Sequence, residues 1–355
     1  MTTAEPRRRG TLGQRLRARG LAVVSWLACH LPEGPLVAIA EWFGGLSYRL
    51  APERAAQARR NLRRVVRYLA DEGLADARTR AAATDPRALE SLVRSAFRQH
   101  ARYYLEILRA PGLDFATFQD RIVVENPADV DAAFARDVPI VFISGHLGPI
   151  ELPGLYLADR SGGRRVVAPM ETLGDPELQA WFERTRSVFG VRIVTLREAR
   201  RELAASLKRG EHVGLVADRD ISGGGIEVPF FGSPAPIPFG PAFLAIDAGA
   251  PIYLAGVWRT GRLTYRGRLD EIPVATEGTR RQRVEATIAA EAAGFERLIA
   301  RAPDQWGAIF APIWPDLEAE AAGEAVPASA TGRAGDDATP GAAPDPDETS
   351  PGAAA

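Results

Sequence analysis

Apolar residues recur at helical spacing through Leu16–Leu31, Leu36–Leu50 and Leu89–Leu108, which predicts helices across residues 13–110. Pro32 and Pro52 punctuate the first of them. A further helix carries Arg54, Arg59, Arg60, Arg63, Arg64 and Arg67 but few core positions besides Leu62, Val65, Val66 and Leu69. Its outer side is either solvated or membrane-facing. From about residue 120 the period changes. Short apolar runs at Arg121–Val124, Pro139–Ser144, Arg164–Ala168, Val191–Thr195 and His212–Ala217 alternate with helical patterns at 127–136, 149–159, 175–189 and 197–209. Strands alternating with helices predict a largely parallel sheet. Then follow a run at Ile226–Phe231, a helix at Gly240–Ala248, strands at Ile252–Trp258 and Leu263–Leu269, and a long helix from about Arg280 to Arg301. The expected fold is α/β: a central, mostly parallel mixed sheet flanked by helices, preceded by a helical membrane-associating region. The boundaries are 1–110 for the basic helices, 111–317 for an α/β core continuous with them, and 318–355 for a tail.

Charge sharpens this picture. The net charge is −1, but residues 1–110 hold twenty Arg against ten acids. Such a basic stretch suits an anionic partner or a plain solvated surface. Residues 318–355 hold eight acids and one Arg and almost no large apolar side chains, so the tail is expected to be disordered. No run reaches the roughly 18–20 apolar residues needed to span a bilayer. Leu21–Leu31 follows Arg15, Arg17 and Arg19, as in a signal peptide, but Cys29-His30-Leu31-Pro32-Glu33 is a poor cleavage site. An uncleaved interfacial helix anchored by Trp26 fits better. Cys29 is the only cysteine, which excludes an intrachain disulfide and a cysteine-based metal site.

Candidate chemistry concentrates where the strand at Pro139–Ser144 ends. The residues there are Ser144-Gly145-His146-Leu147-Gly148-Pro149-Ile150-Glu151. Pro149 suits the first turn of a helix, so His146 is expected in a strand-to-helix turn, where open α/β sheets place ligands. A His beside a carboxylate in such a crevice is a general-base candidate. Glu151 has an equally ordinary reading as a carboxylate stabilised at a helix start.

A second constellation spans residues 215–241. A strand ends in Asp218-Arg219-Asp220, Gly223–Gly225 follow, and Glu227 lies in the apolar run Ile226–Val228 ahead of Phe230 and Phe231. An acid in an apolar run is costly unless paired, and pairing with His146 accounts for it; an exposed edge-strand Glu accounts for it too. Arg184 and Arg186, at the end of a helix before Phe189-Gly190, are candidates for binding a phosphate or a developing oxyanion. No serine elbow, P-loop, dinucleotide fingerprint or zinc set is present. The basic segments lack the interleaved aromatics of a nucleic-acid module, so no nucleic-acid partner is expected.

Three segments together resemble the bacterial lipid A biosynthesis acyltransferase superfamily. They are Gly145–Glu151, the stretch from Asp218 through Gly225-Ile226-Glu227-Val228-Pro229-Phe230-Phe231-Gly232, and Pro303-Asp304-Gln305-Trp306. Ala101-Arg102-Tyr103-Tyr104-Leu105-Glu106 and Ala217-Asp218-Arg219-Asp220-Ile221-Ser222 are most similar to actinobacterial phosphatidylinositol mannoside acyltransferases. The resemblance spans about residues 20–316. It implies a peripheral enzyme on the cytoplasmic face of the inner or plasma membrane. Such an enzyme moves a fatty acyl group from acyl-CoA or acyl carrier protein to a sugar hydroxyl of a glycolipid, with no metal or other cofactor. A lipid A-type acceptor, a thioesterase and a silent lipid-binding protein are the rival readings.

The resemblance makes His146 the base and Glu227 its paired acid, with Glu151 as the acid of the His-x4-Asp/Glu motif and Arg186 as an Arg before the Phe-Gly strand. Asp218, Arg219, Phe230 and Phe231 are expected to bind substrate, the phenylalanines lining an acyl groove. Gly148-Pro149-Ile150 stands where the family usually has Gly-Asn-Trp, a departure that bears on acceptor binding. The partners implied are acyl-CoA, a glycolipid acceptor and an anionic membrane surface.

Overall fold

Capping and helical spacing set the N-terminal third. The computed structural model describes residues 10–323 except Asp114, Thr172, Val188, Phe189 and Ser222. Helix α1 (Leu12–His30) starts at a reciprocal cap between Thr11 and Gln14. It is followed by α2 (Glu33–Leu50) and α3 (Pro52–Asp71), the latter with Pro at its start. Then come α4 (Ala77–Thr84) and α5 (Pro86–Arg109), capped by Asp76 and Asp85. The apolar period does not predict α4, because Ala-Arg-Thr-Arg-Ala-Ala-Ala-Thr shows none; its Asp76 cap is the local signal. Helices α2 and α5 meet at Gly44, where a Cβ would lie 2.6 Å from the Phe97 carbonyl oxygen.

The remaining elements build the sheet. They are α6 (Phe115–Gln119), β1 (Ile122–Val124), α7 (Pro127–Ala135), β2 (Val141–Ser144), α8 (Glu151–Arg160), β3 (Val166–Met170), α9 (Pro176–Ser187), β4 (Val191–Thr195), α10 (Leu196–Lys208) and β5 (His212–Val216). Next are β6 (Ile226–Phe230), β7 (Ser233–Ile237), α11 (Gly240–Ala248), β8 (Ile252–Arg259), β9 (Tyr265–Ile272), α12 (Arg280–Ile299) and α13 (Pro315–Ala322). The seven-stranded sheet runs β1-β9-β8-β2-β5-β3-β4. Every neighbouring pair is parallel except β8 and β9. This is the mostly parallel mixed sheet that the alternating pattern predicts.

Strands β6 and β7 form a separate antiparallel hairpin. Strand β7 reads Ser-Pro-Ala-Pro-Ile, a run that does not predict a strand. In a two-stranded hairpin each strand has an open edge, where the N–H that Pro lacks is not needed. The largest core cluster joins Leu62, Val66 and Phe97 of the N-terminal helices to Val141 and Ile143 of β2, Phe230 of the hairpin and Phe295 of α12. Burying each such side chain fully contributes about 1.5–3 kcal/mol, so α3 and α5 share one core with the sheet.

The tail expected from residue 318 begins inside α13, so residues 318–322 are helical. That helix is held by Arg64 Nη1 donating to Asp316 Oδ1 at 2.8 Å and Gln57 Nε2 donating to Glu318 Oε1 at 2.7 Å. The disorder expected beyond Gly323 lies outside the described residues, as do Ser222 and Phe189 of the quoted motifs.

Candidate active site

Parallel pairing brings the two chemical motifs together. Strands β2 and β5 are neighbours in register, with Ser144 opposite Val216. The ladder continues one step beyond, where Ala217 N donates to Ser144 O at 2.9 Å. His146 and Asp218 each stand two residues past that registered pair, at the carboxyl ends of adjacent strands. Gly145 makes room between them, since a Cβ there would lie 3.1 Å from Asp218 Oδ2.

Asp218 is completely buried and accepts three hydrogen bonds. His146 Nδ1–H donates to Oδ1 at 2.6 Å, and His146 N and Trp306 Nε1 each donate to Oδ2 at 2.7 Å. Burial pushes its pKa up, but the neighbouring His146 and these donors outweigh burial and hold the carboxyl below the usual range. A carboxylate accepts only, so it fixes the proton of a neutral His146 on Nδ1. Nε2 is left with a lone pair. The ring is 32% exposed, so that lone pair is accessible.

The third motif braces this pair from the other side. Gly148 N donates to Gln305 O at 3.0 Å, and Gly307 N donates to His146 O at 2.6 Å. Gln305 is tied in turn to β8, accepting from Arg259 N and donating to Arg259 O, each at 2.8 Å. Gly148 has φ +59°, and a Cβ there would lie 2.4 Å from the Val257 carbonyl oxygen. Only glycine fits that position.

His146 opens into a cavity of about 330 Å³ also lined by Arg54, His100, Tyr103, Tyr104, Arg219 and Gln305. Arg219 Nε is buried with no partner among the described residues. A second, more apolar cavity lies between the sheet and α8, lined by Ile143, Leu157, Val166, Leu215, Glu151 and Arg186 among others. Ile150 lines both, so they adjoin beside the His146 loop.

Several expected site residues take other places. Glu227 is not the partner of His146: it is exposed on β6 opposite Pro236, because the alternation of that strand turns Val228 inward and Glu227 outward. Glu151 is not the partner either. Its carboxylate is bound by Arg186, with Nη2 to Oε1 at 3.0 Å. The expected acid is therefore replaced by Asp218, for which the sequence suggests only substrate binding. Phe230 and Phe231 line neither of these two cavities; they are 0% and 2% exposed and pack with Trp306 and Trp314. Arg219 does line the His146 cavity, whereas Arg186 lines the apolar one.

Sequence reasoning gives no role to Trp306 and passes over His100. Trp306 lies within a quoted motif, and nothing in the sequence points its indole at Asp218. For His100 a signal exists: His100, Tyr103 and Tyr104 stand at i, i+3 and i+4, one face of α5.

The chain is 30% identical over 188 residues to a phosphatidylinositol mannoside acyltransferase of Mycobacterium tuberculosis, a match covering 51% of this chain and 57% of that protein. It is 28% identical over 176 residues to a phosphatidylinositol mannoside acyltransferase of Mycolicibacterium smegmatis, covering 48% and 57%. The chain thus spans little more than half the length of these curated relatives. The family model for bacterial lipid A biosynthesis acyltransferases matches residues 18–311, and the chain belongs to that family.

Proposed function

We propose that this protein transfers a fatty acyl group from a thioester donor, acyl-CoA or acyl carrier protein, to a sugar hydroxyl of a phosphatidylinositol mannoside. The observation that carries the reading is the buried Asp218 carboxylate bonded to His146 Nδ1 at 2.6 Å in an open cavity. The family and the mannoside acyltransferase relatives support the choice of reaction and acceptor.

In this mechanism His146 Nε2 takes the proton from the acceptor hydroxyl as its oxygen attacks the thioester carbonyl. Asp218 orients the ring and stabilises the imidazolium that forms. The Arg219 guanidinium in the same cavity meets the developing oxyanion charge. Collapse of the tetrahedral species expels the thiolate, which takes the proton from His146, leaving an ester and a free thiol. The polar cavity suits the sugar and the apolar one a hydrocarbon chain.

The N-terminal helices supply the lipid surface in this reading. Val23, Val24, Trp26 and Leu27 of α1 and Ile39, Trp42, Phe43 and Leu50 of α2 are exposed. No described helix is long and apolar enough to cross a bilayer. Apolar side chains of this kind bury into the interfacial layer, and Arg15 and Arg19 add attraction to anionic lipids. We place the protein on the cytoplasmic leaflet, where thioester donors are made. Sedimentation with anionic vesicles should take down the wild-type chain and leave a Trp26→Ser/Trp42→Ser variant largely in solution; equal sedimentation would remove this surface from the account.

The decisive assay measures acyl transfer from acyl-CoA to purified phosphatidylinositol mannosides. His146→Ala should lose about 10²–10⁴-fold in rate while still folding, with a stability loss of about 1–3 kcal/mol from the missing Nδ1–H on Asp218. Thiol release that does not depend on added glycolipid would instead make the protein a thioesterase.

A further inference from the structure

The cavity contains a second imidazole that the proton-transfer step does not use. His100 lies on α5, and its Nε2 is 2.7 Å from Arg54 Nη2. A guanidinium can only donate, so His100 Nε2 must accept, and the single proton of the neutral ring sits on Nδ1. Arg54 is itself held by stacking over Phe310, 4.5 Å from the ring centroid. The tautomer of His100 is therefore set by a fixed cation, as that of His146 is set by a fixed anion.

The two rings are arranged around Gly307. A Cβ at Gly307 would lie 3.7 Å from His146 Cβ and 3.9 Å from His100 Nδ1. No described residue accepts from His100 Nδ1–H, although the ring lines the cavity. One imidazole thus presents a lone pair to the cavity and the other an N–H. Burial first, then the charges of Arg54, Arg259 and His146, push the pKa of His100 down to about 4. The ring stays neutral near pH 7 and does not compete for the proton in flight.

We propose that His100 binds the acceptor sugar, donating Nδ1–H to an oxygen lone pair of the acceptor so that the reacting hydroxyl directs its own proton at His146. An N–H that only donates cannot accept the hydroxyl proton. It therefore excludes the inverted hydrogen-bond arrangement, in which the hydroxyl would donate to position 100 and be lost to His146. The inference rests on the acyl-transfer reading above and assigns a residue that recognises the acceptor rather than the donor.

The test is a pair of isosteric substitutions assayed in steady state with acyl-CoA and phosphatidylinositol mannoside. His100→Asn places an amide N–H near the Nδ1 position, whereas His100→Gln places an acceptor near Nε2 for Arg54 and supplies no donor at Nδ1. His100→Gln should lower kcat/KM for the acceptor by about 10-fold or more, the cost of one good hydrogen bond. His100→Asn should recover most of that loss. The KM for acyl-CoA should stay within about 2-fold in both, as for a residue that touches only the acceptor. A merely structural role would give the opposite order, with His100→Gln the better variant because it keeps the Arg54 contact, or would raise both KM values together. Either result overturns the assignment. His146→Ala in the same assay separates the two claims. If it retains activity, the general-base reading falls. If it is inactive while the Asn and Gln order is reversed, only the role of His100 falls.

Discussion

Asp218 and Glu291 are the two carboxylates, among the described residues, that the fold seals completely from solvent, each 0% exposed. Both suffer the same burial penalty, and they resolve it in opposite ways. Asp218 receives three N–H donors, one of them from the ring it serves, and it remains an anion. Glu291 lies on α12 among Ile288, Ala292 and Phe295, and neither of its oxygens has a partner among the described residues. Burial pushes its pKa well above the carboxylate range, so it is held as the neutral acid. Burial alone therefore does not mark a catalytic carboxylate. What sets Asp218 apart is that the chain has supplied donors enough to keep it charged inside the core, beside the imidazole we propose as the base.

The contrast breaks most severely at Asp218 itself. Asp218→Ala leaves three donors without their acceptor, the Trp306 indole N–H among them fully buried, and should destabilise the protein by about 3–5 kcal/mol. Because the folded pKa of Asp218 is lowered, its contribution is present above the unfolded carboxylate pKa of about 4. That contribution is lost as pH falls through the folded value. Chemical denaturation from about pH 3 to about pH 8 should show the variant's deficit shrinking toward the acid end.

Glu291 predicts the opposite sign. Its folded pKa is raised, so its relative contribution is best below the unfolded pKa and is lost as pH rises toward the folded value. Glu291→Met, of similar length and without a charge to bury, should stabilise the protein by about 1–3 kcal/mol at neutral pH. The gain should fade below about pH 4. A destabilised variant at neutral pH would mean that Glu291 has a partner and that the two carboxylates are not opposites.

A smaller effect tests one of the three donors. Trp306→Phe keeps most of the ring packed against Phe230 and Phe231 but removes the Nε1–H on Asp218. A loss of about 1–3 kcal/mol in stability is expected, with transfer reduced but not abolished because both His146 contacts to Asp218 remain. The melting curve and the acceptor assay read these separately.

Much of this site is legible in the amino-acid sequence. The strand-to-helix turn at Gly145–Glu151 and the strand end at Asp218 follow from apolar runs punctuated by Gly and Pro, and they identify His146 and the parallel sheet. The acid is misassigned for a specific reason. Glu227 in an apolar run looks like a buried charge, yet strand alternation at Ile226-Glu227-Val228 places it outward at no cost. Asp218 stands out in the sequence only as one polar residue among several. The register that aligns it with His146 is a property of β2 and β5, which are separated by two intervening strands along the chain. Long-range pairing is also what hides Trp306, whose indole reaches Asp218 across 88 residues. The substrate groove expected at Phe230 and Phe231 fails because these side chains bring more stability packed with Trp306 and Trp314 than exposed to a cavity. Their apolar character alone does not distinguish the two.

The central claim is that Asp218, and not Glu227, is the acid of the catalytic pair. The most direct test compares the rate of acyl transfer from acyl-CoA to phosphatidylinositol mannoside by Asp218→Asn and Glu227→Gln, each checked for wild-type secondary structure. The account predicts a loss of about 10²-fold or more for Asp218→Asn, which removes the anion that fixes His146. Glu227→Gln, an exposed substitution, should stay within about 2-fold of wild type. A full-rate Asp218→Asn enzyme beside an inactive Glu227→Gln enzyme would contradict the account and return the pair to Glu227.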